Sequence, residues 1–202
     1  MNTTKLYQII TENKNGIEAG VYDVLLGIVK EELAKECEKA AGRKANVRNS
    51  VKKFIDKSGY RDYLTKGNIQ VINGTTYYGY CDGFKLAWSP IDFGFGTVEG
   101  TGNALQWDQI INYRYKNPGT VEINKADVIE HIKKYKGQKA PYTVEYGNGM
   151  SIDLNPDFLK ACMDFTEVTT MTVDLGNDSG NYPVFFHNDK EDRHAMCLPI
   201  RR

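Results

Sequence analysis

The sequence has no charge excess of either sign: 26 lysines and arginines balance 26 aspartates and glutamates. Bulk electrostatics therefore neither demands nor excludes a nucleic-acid partner, and only a segregated basic face could argue for one. No apolar run approaches the length of a membrane span, and Met1-Asn2-Thr3-Thr4-Lys5 lacks the hydrophobic stretch of a secretory signal. A soluble, cytoplasmic protein without a membrane partner is expected. Cysteine is sparse. Cys37, Cys81, Cys162 and Cys197 lie far apart in apolar or half-apolar patterns, which favours buried, reduced thiols over disulfides. Histidine is scarcer still, with three. His194 and Cys197 are three apart, so in a strand they point to opposite faces and do not share a metal. Cys81 beside Asp82 has no histidine near it in sequence and reads as a small buried thiol rather than a nucleophile. Asp153, Asp157 and Asp164 suit turn, cap and helix-end positions better than an acid–base pair. The chain lacks a G-x-x-x-x-G-K-[ST] phosphate loop, and the glycines between 94 and 102 are too irregular for a dinucleotide fingerprint. No catalytic residue, metal or cofactor is expected, which leaves a binding protein. An enzyme on an unrelated α+β fold would need ionisable side chains converging on the glycine-rich 94–103 segment.

What is present is a succession of short periodic segments. Thirteen tyrosines and nineteen glycines fit a sheet-rich chain with many turns, and 202 residues suffice for one large domain or two small ones. Lys5–Thr11 reads as a short strand closed by the turn-like Glu12–Gly16. A long helix follows from Val21, with Val21, Val24, Leu25, Ile28, Val29, Leu33 and Cys37 at spacings of three and four. Gly42 is expected to interrupt it. A second helix over Val47–Lys57 has its own stripe of Val47, Val51, Phe54 and Ile55. Between Lys39 and Lys57 stand seven basic residues and one acidic residue, Asp56. That segment is either a solvated helix face or a phosphate-facing surface.

From Tyr60 the period becomes strand-like. Lys66–Ile72 and Thr75–Cys81 flank Asn73-Gly74, a strong hairpin signal, and Asp82-Gly83 turns the chain into Phe84–Trp88. Residues 90–118 read as a flexible connection in which Leu105–Tyr115 could be either element. Val121–Ile123 is then a strand and Asn124 a helix cap. Ala126, Val128, Ile129, Ile132 and Tyr135 mark the next helix, with Lys125, Lys133, Lys134, Lys136 and Lys139 on its other face. Tyr142–Tyr146 is a strand, and Gly147-Asn148-Gly149 turns into the last unit. There Ser151–Leu154 precedes Asn155 as N-cap, Pro156 at the first helical position and Asp157 at the positive end of the dipole. Phe158, Leu159, Cys162, Met163 and Phe165 give that helix an apolar face. Val168–Leu175, Tyr182–His187 and Ala195–Ile200 are three strands separated by the polar turns Asn177–Gly180 and Asn188–Asp192. The order is β-α-β-β-β. The expected fold class is α+β, with helices on one face of antiparallel sheets and two units, 1–118 and 119–202.

Two segments carry a family resemblance. Asn155-Pro156-Asp157-Phe158-Leu159, followed by three strands and Pro199-Ile200-Arg201, resembles the closing half-domain of bacterial-type DNA sliding clamps, the polymerase III beta subunits. There an N-x-x-[YF]-L helix precedes three strands and a terminal P-x-R. Cys81-Asp82-Gly83-Phe84-Lys85-Leu86-Ala87 is similar to the family's T-D-G-[HFY]-R-L-A turn, with Cys for Thr and Lys for Arg. The resemblance covers Ser151–Arg202 best and Tyr60–Trp88 next. The chain is too short for the three full domains of the bacterial protein. A shortened version would suit a phage or mobile-element origin.

The resemblance implies a DNA sliding-clamp-like processivity factor, a homo-oligomer joined through sheet edges, whose partners are duplex DNA and peptides of DNA polymerase or other replication proteins. DNA threaded through a ring needs cations spread over rigid helices rather than base readout. Lys39, Arg43, Lys44, Arg48, Lys52, Lys53, Lys133, Lys134 and Lys136 are the residues expected to supply them. The family's peptide groove, carried onto matching positions, implicates Gly83, Phe84, Lys85 and Leu86 with Leu198, Pro199, Ile200 and Arg201. Leu86, Leu198 and Ile200 have an alternative reading as core residues of their strands. A clamp-fold interaction module that does not encircle DNA is the alternative function.

Overall fold

The computed structural model describes residues 3–58, 61–99, 109, 110, 113, 115–147, 149–176 and 182–200. Most of Leu105–Tyr115, the turn Asn177–Gly180 and Arg201 lie outside the described residues, as do the side chains of Lys39, Arg43 and Lys44. The chain forms two compact units, Met1–Val47 and Arg48–Arg202.

The first unit is helical. α1 runs over Thr3–Glu12, and α2 over Ala19–Val51 continues into the second unit. Both differ from expectation. Lys5–Thr11 is helix rather than strand: Ile10 is buried while the adjacent Ile9 is exposed, and Gln8 Nε2 donates to Glu12 one turn on at 2.7 Å. That i,i+4 spacing rewards a helical period. Gly42 does not interrupt α2. A glycine costs a helix about 1 kcal/mol relative to alanine, which a helix of 33 residues absorbs. Val29 is buried, but Val21, Val24, Leu25 and Ile28 of the same stripe are exposed. The expected second helix is instead the last turn of α2 followed by a 3₁₀ turn, Lys52–Phe54.

The second unit is built on an eight-stranded sheet. After the single helical turn α3 (Asp62–Thr65) come β1 (Gly67–Ile72), β2 (Thr75–Cys81), β3 (Lys85–Ser89) and the short β4 (Thr97–Glu99). Then follow β5 (Pro118–Glu122), α4 (Lys125–Lys134), β6 (Tyr142–Tyr146) and β7 (Met150–Leu154). The chain closes with α5 (Pro156–Thr166), β8 (Thr170–Asp174), β9 (Val184–Asn188) and β10 (Arg193–Cys197). Strand order is β4-β1-β2-β3-β10-β9-β8-β5, and β6 pairs with β7 as a separate hairpin. Among the described residues only β1–β4 is parallel. Asn73 (φ 50°) and Gly74 (φ 81°) both occupy the left-handed region that a two-residue hairpin turn requires. Both expected caps form: Asn124 Oδ1 accepts from Ala126 N at 3.0 Å and Asn155 Oδ1 from Asp157 N at 2.9 Å.

The β3–β10 ladder sets the rest. It pairs Cys197 with Lys85 and Met196 with Leu86, so an early strand and the last strand lie side by side at the middle of the sheet. α5 covers one face of these strands through Leu159, Cys162, Met163 and Phe165, all buried, and Phe54 and Phe93 meet the Phe165 ring edge-on at 5.9 Å. Leu86, Trp88, Phe185 and Met196 form a second buried cluster, against which Ile110, Tyr113 and Tyr115 pack.

Candidate peptide groove and basic helix layer

Beyond β10 the chain stops being a strand but stays tied by its backbone. Leu198 N donates to Phe84 O at 2.9 Å, which continues the β3–β10 pairing one step, and Ile200 N donates to Asp153 O at 2.8 Å. The tail is therefore stretched between the turn before β3 and the end of β7. Between it and the first turn of α5 lies a cleft of about 760 Å³, walled by Phe84, Pro156, Phe158, Leu198, Pro199 and Ile200. Gln138, Lys139 and Ala140, from the α4–β6 connection, close its polar rim. Phe84 is 60% exposed and stacks on Phe158 with ring centroids 6.1 Å apart. A concave apolar surface with a few polar groups at its edge suits an aliphatic or aromatic anchor.

Asp82-Gly83 presents Phe84 to this cleft by local chemistry. Asp82 Oδ1 accepts from the backbone N–H groups of Phe84 and Lys85, both at 3.0 Å, and Gly83 takes φ 95°, where a side chain would be strained. Lys85 does not line the cleft. Its buried ammonium pairs with Asp82 and lies 4.3 Å from the Phe158 ring centroid, fixing one wall from behind. Leu86 is fully buried, with its side chain in the core cluster. Phe84, Leu198, Pro199 and Ile200 thus line the cleft, while Gly83, Lys85 and Leu86 support it. Pro156, Phe158 and the 138–140 connection join the cleft unforeseen. Phe158 stood in the N-x-x-F-L motif but read as helix core. Nothing in the sequence pointed to 138–140.

The nearby Cys81 thiol is buried, which disfavours its thiolate form. Gly83 N donates to Cys81 Sγ at 3.2 Å, and burial pushes the thiol up to about 11. His194 belongs to a different cluster: it bonds Asp192 Oδ1 at 2.9 Å and His187 Nδ1 at 3.0 Å, and stacks on Trp88. Cys197 lies instead against Cys162 of α5. Among the described residues no group of three or more His, Cys, Asp or Glu could hold a metal. In the described part of the glycine-rich connection, Phe93 and Phe95 pack edge-on against Tyr80.

The basic residues fall into three situations. Lys52, Lys133, Lys134 and Lys136 are exposed, with Lys134 over the Tyr135 ring. Arg48 is engaged inside its own unit, donating to Phe93 O at 2.9 Å and lying 4.7 Å from the Phe95 centroid. Lys53 converges with two lysines from other elements on a single carboxylate. Asp164 Oδ2 lies 2.7 Å from Lys53 Nζ and 2.5 Å from Lys160 Nζ, and Oδ1 lies 2.8 Å from Lys125 Nζ. Burial opposes ionisation of Asp164, but hydrogen bonds from Lys125, Lys160 and Lys53 hold it well below the usual carboxylate range. Lys125 and Lys160 were not among the expected DNA contacts. Only the packing of α4 beside α5 brings them to Lys53.

No protein-family model matches the chain, and no curated protein matches it. Solved structures do. The DNA polymerase III subunit beta of Pseudomonas aeruginosa superposes with a TM-score of 0.54 at 11% identity, over 79% of this chain and 65% of that one. The Helicobacter pylori beta clamp bound to a DNA ligase peptide gives 0.55 at 11%, over 79% and 63%. The Bartonella birtlesii sliding clamp bound to griselimycin gives 0.56 at 11%, over 81% and 64%. This chain thus spans just under two thirds of the length of each. At such identities the likeness is one of architecture: the chain has the α+β fold of the DNA polymerase III beta clamps.

Proposed function

We infer that this chain is a non-enzymatic, clamp-type protein that docks short peptides of replication proteins in the groove between Phe84 and Leu198–Ile200. The observation that carries the reading is the β3–β10 ladder, which joins the Asp82–Phe84 turn to the Leu198–Ile200 tail around one apolar cleft. The clamp fold adds support, as does a structural relative solved with a DNA ligase peptide. In this reading the chain comprises two clamp-like units, 1–118 and 119–202, with β3 in the first and β10 in the second. Lys52, Lys53, Lys133, Lys134 and Lys136, with Lys39, Arg43, Lys44 and Arg48, supply a sequence-independent attraction for duplex DNA. Self-association through the outer strands β4 and β5 assembles a processivity factor in the cytoplasm. No helix among the described residues is long and apolar enough to cross a membrane.

A fluorescent peptide with Leu and Phe anchors, titrated with the protein, tests the groove. Saturable binding that Phe84→Ala weakens supports it, and binding indifferent to Phe84→Ala sinks it. Light scattering tests the assembly: a discrete oligomer supports a ring. A monomer moves the reading to a peptide-binding module that does not encircle DNA, which the engagement of three lysines by the Asp164 carboxylate favours.

A further inference from the structure

The outer surface of α5 is poorly suited to DNA by its own residues. Asp157, Lys160, Asp164 and Glu167 follow one another at spacings of three and four, so this surface has more carboxylates than ammoniums. Asp164 differs from the other two carboxylates in being gripped by three lysines from three elements: Lys53 of the 3₁₀ turn, Lys125 at the start of α4 and Lys160 one turn earlier on α5. Each ammonium gives one donor to Asp164 and has two more, and each lysine side chain remains 30–44% exposed. A small anion surrounded by ammoniums on rigid supports is how a protein receives a phosphate oxygen. Here the anion is part of the chain.

Resting on the reading of the helix layer as a DNA-contacting face, we propose that Lys53, Lys125 and Lys160 form a backbone-phosphate site whose resident carboxylate, Asp164, competes with the nucleic acid. With Asp164 in place the site carries two net positive charges instead of three, so a phosphate is attracted but weakly held. The lysines are anchored on separate elements, all within a Debye length of one another at ordinary salt, about 8–10 Å. Removing the carboxylate therefore leaves the positive charge where it is and unmasks it. Asp164 acts as a built-in brake on a sequence-independent contact, which suits a protein that must move along DNA.

The experiment is the salt dependence of binding to a fluorescent random-sequence duplex, over about 0.05–0.2 M NaCl, where each phosphate contact contributes about −0.9 to the slope. Circular dichroism confirms that each variant is folded. Asp164→Asn is expected to tighten binding several-fold and steepen the slope by about one. Lys53→Gln with Lys125→Gln and Lys160→Gln should weaken binding and flatten the slope, and should abolish the gain when combined with Asp164→Asn. Asp189→Asn, in the turn between β9 and β10, makes the same charge change outside the site. An equal gain from it overturns the proposal, as does unchanged or weaker binding by Asp164→Asn. In either case a salt-dependent wild type leaves the DNA reading standing. Absence of binding by both wild type and Asp164→Asn overturns the proposal and the DNA reading together.

Discussion

The groove and the lysine cluster both use α5, yet they are built by different means. The groove at the N-terminal end of the helix is positioned by backbone: the β3–β10 ladder, Leu198 N to Phe84 O, and Ile200 N to Asp153 O. The cluster nearer its C-terminal end is positioned by side chains alone, three partly exposed ammoniums on one carboxylate. A site held by a ladder inherits the cooperativity of the core, so its supporting residues affect folding while its lining residues affect binding. A site held by exposed ion pairs contributes little to folding, because such pairs are worth about 0–1 kcal/mol each. The two regions should therefore respond in opposite ways to mutation, salt and pH.

The sharpest break of that comparison lies within the groove's own motif. Leu86 is fully buried whereas Phe84, two residues earlier, is mostly exposed. Leu86→Ala is expected to cost about 2–5 kcal/mol of folding free energy through lost burial and a residual cavity. Phe84→Ala should stay within about 0.5 kcal/mol of wild type. Denaturant midpoints at constant m-value measure both. Equal losses would mean that Phe84 is a core residue and that the cleft has no free wall.

In binding the order reverses. Phe84→Ala removes an aromatic wall together with its stacking partner for Phe158, and should weaken peptide binding by roughly tenfold or more, the range of an interface anchor. Lys139→Ala, at the polar rim, should change affinity by no more than a few-fold. Calorimetric titration with one peptide distinguishes them. A larger effect at Lys139 would make the site electrostatic and erase its contrast with the cluster.

How legible each region was in sequence follows from the same distinction. Asn73-Gly74, Asp82-Gly83, Asn124 and Asn155-Pro156 announce turns and caps because their chemistry is local, and the structure forms each of them. Phe84 and Leu198–Ile200 could be brought together only by the family resemblance, since no local rule pairs residues more than a hundred apart. Their separation into lining and supporting roles needed the register: it is β3 that buries Leu86 and points Lys85 under Phe158. Lys5–Thr11 misled because its apolar and β-branched residues suit a strand over so short a window, while the deciding contacts are i,i+4. Lys125 reads in sequence as one more helix-face cation, and its meeting with Lys160 and Asp164 depends on the packing of α4 beside α5.

A smaller effect tests the helix on which both regions depend. Asn155 Oδ1 caps α5 by accepting from Asp157 N, and Asn155→Ala should cost about 1 kcal/mol. Because Pro156 and Phe158 line the groove, the variant should also loosen peptide binding slightly while leaving the Lys53–Asp164 pairing intact. A stability loss below about 0.3 kcal/mol would show that tertiary packing, not the cap, defines the start of the helix.

The smallest effect is the one that should distinguish the cluster most cleanly from the groove. Asp164 is held below its ordinary range when folded, so its contribution to stability is present above the unfolded carboxylate value, near pH 4, and is lost as pH falls through the folded one. Asp164→Asn should therefore be slightly less stable than wild type at pH 7, by about 1 kcal/mol or less given the exposure of its lysine partners. The gap should close on acidification below about pH 4 and narrow when salt is raised from about 0.05 to 0.5 M. Leu86→Ala should keep its full deficit under both treatments, since no charge is involved. Thermal melts of the two variants and wild type across that grid read the difference directly. A deficit in Asp164→Asn that is insensitive to both pH and salt would assign the carboxylate a packing role and make the cluster as structural as the groove.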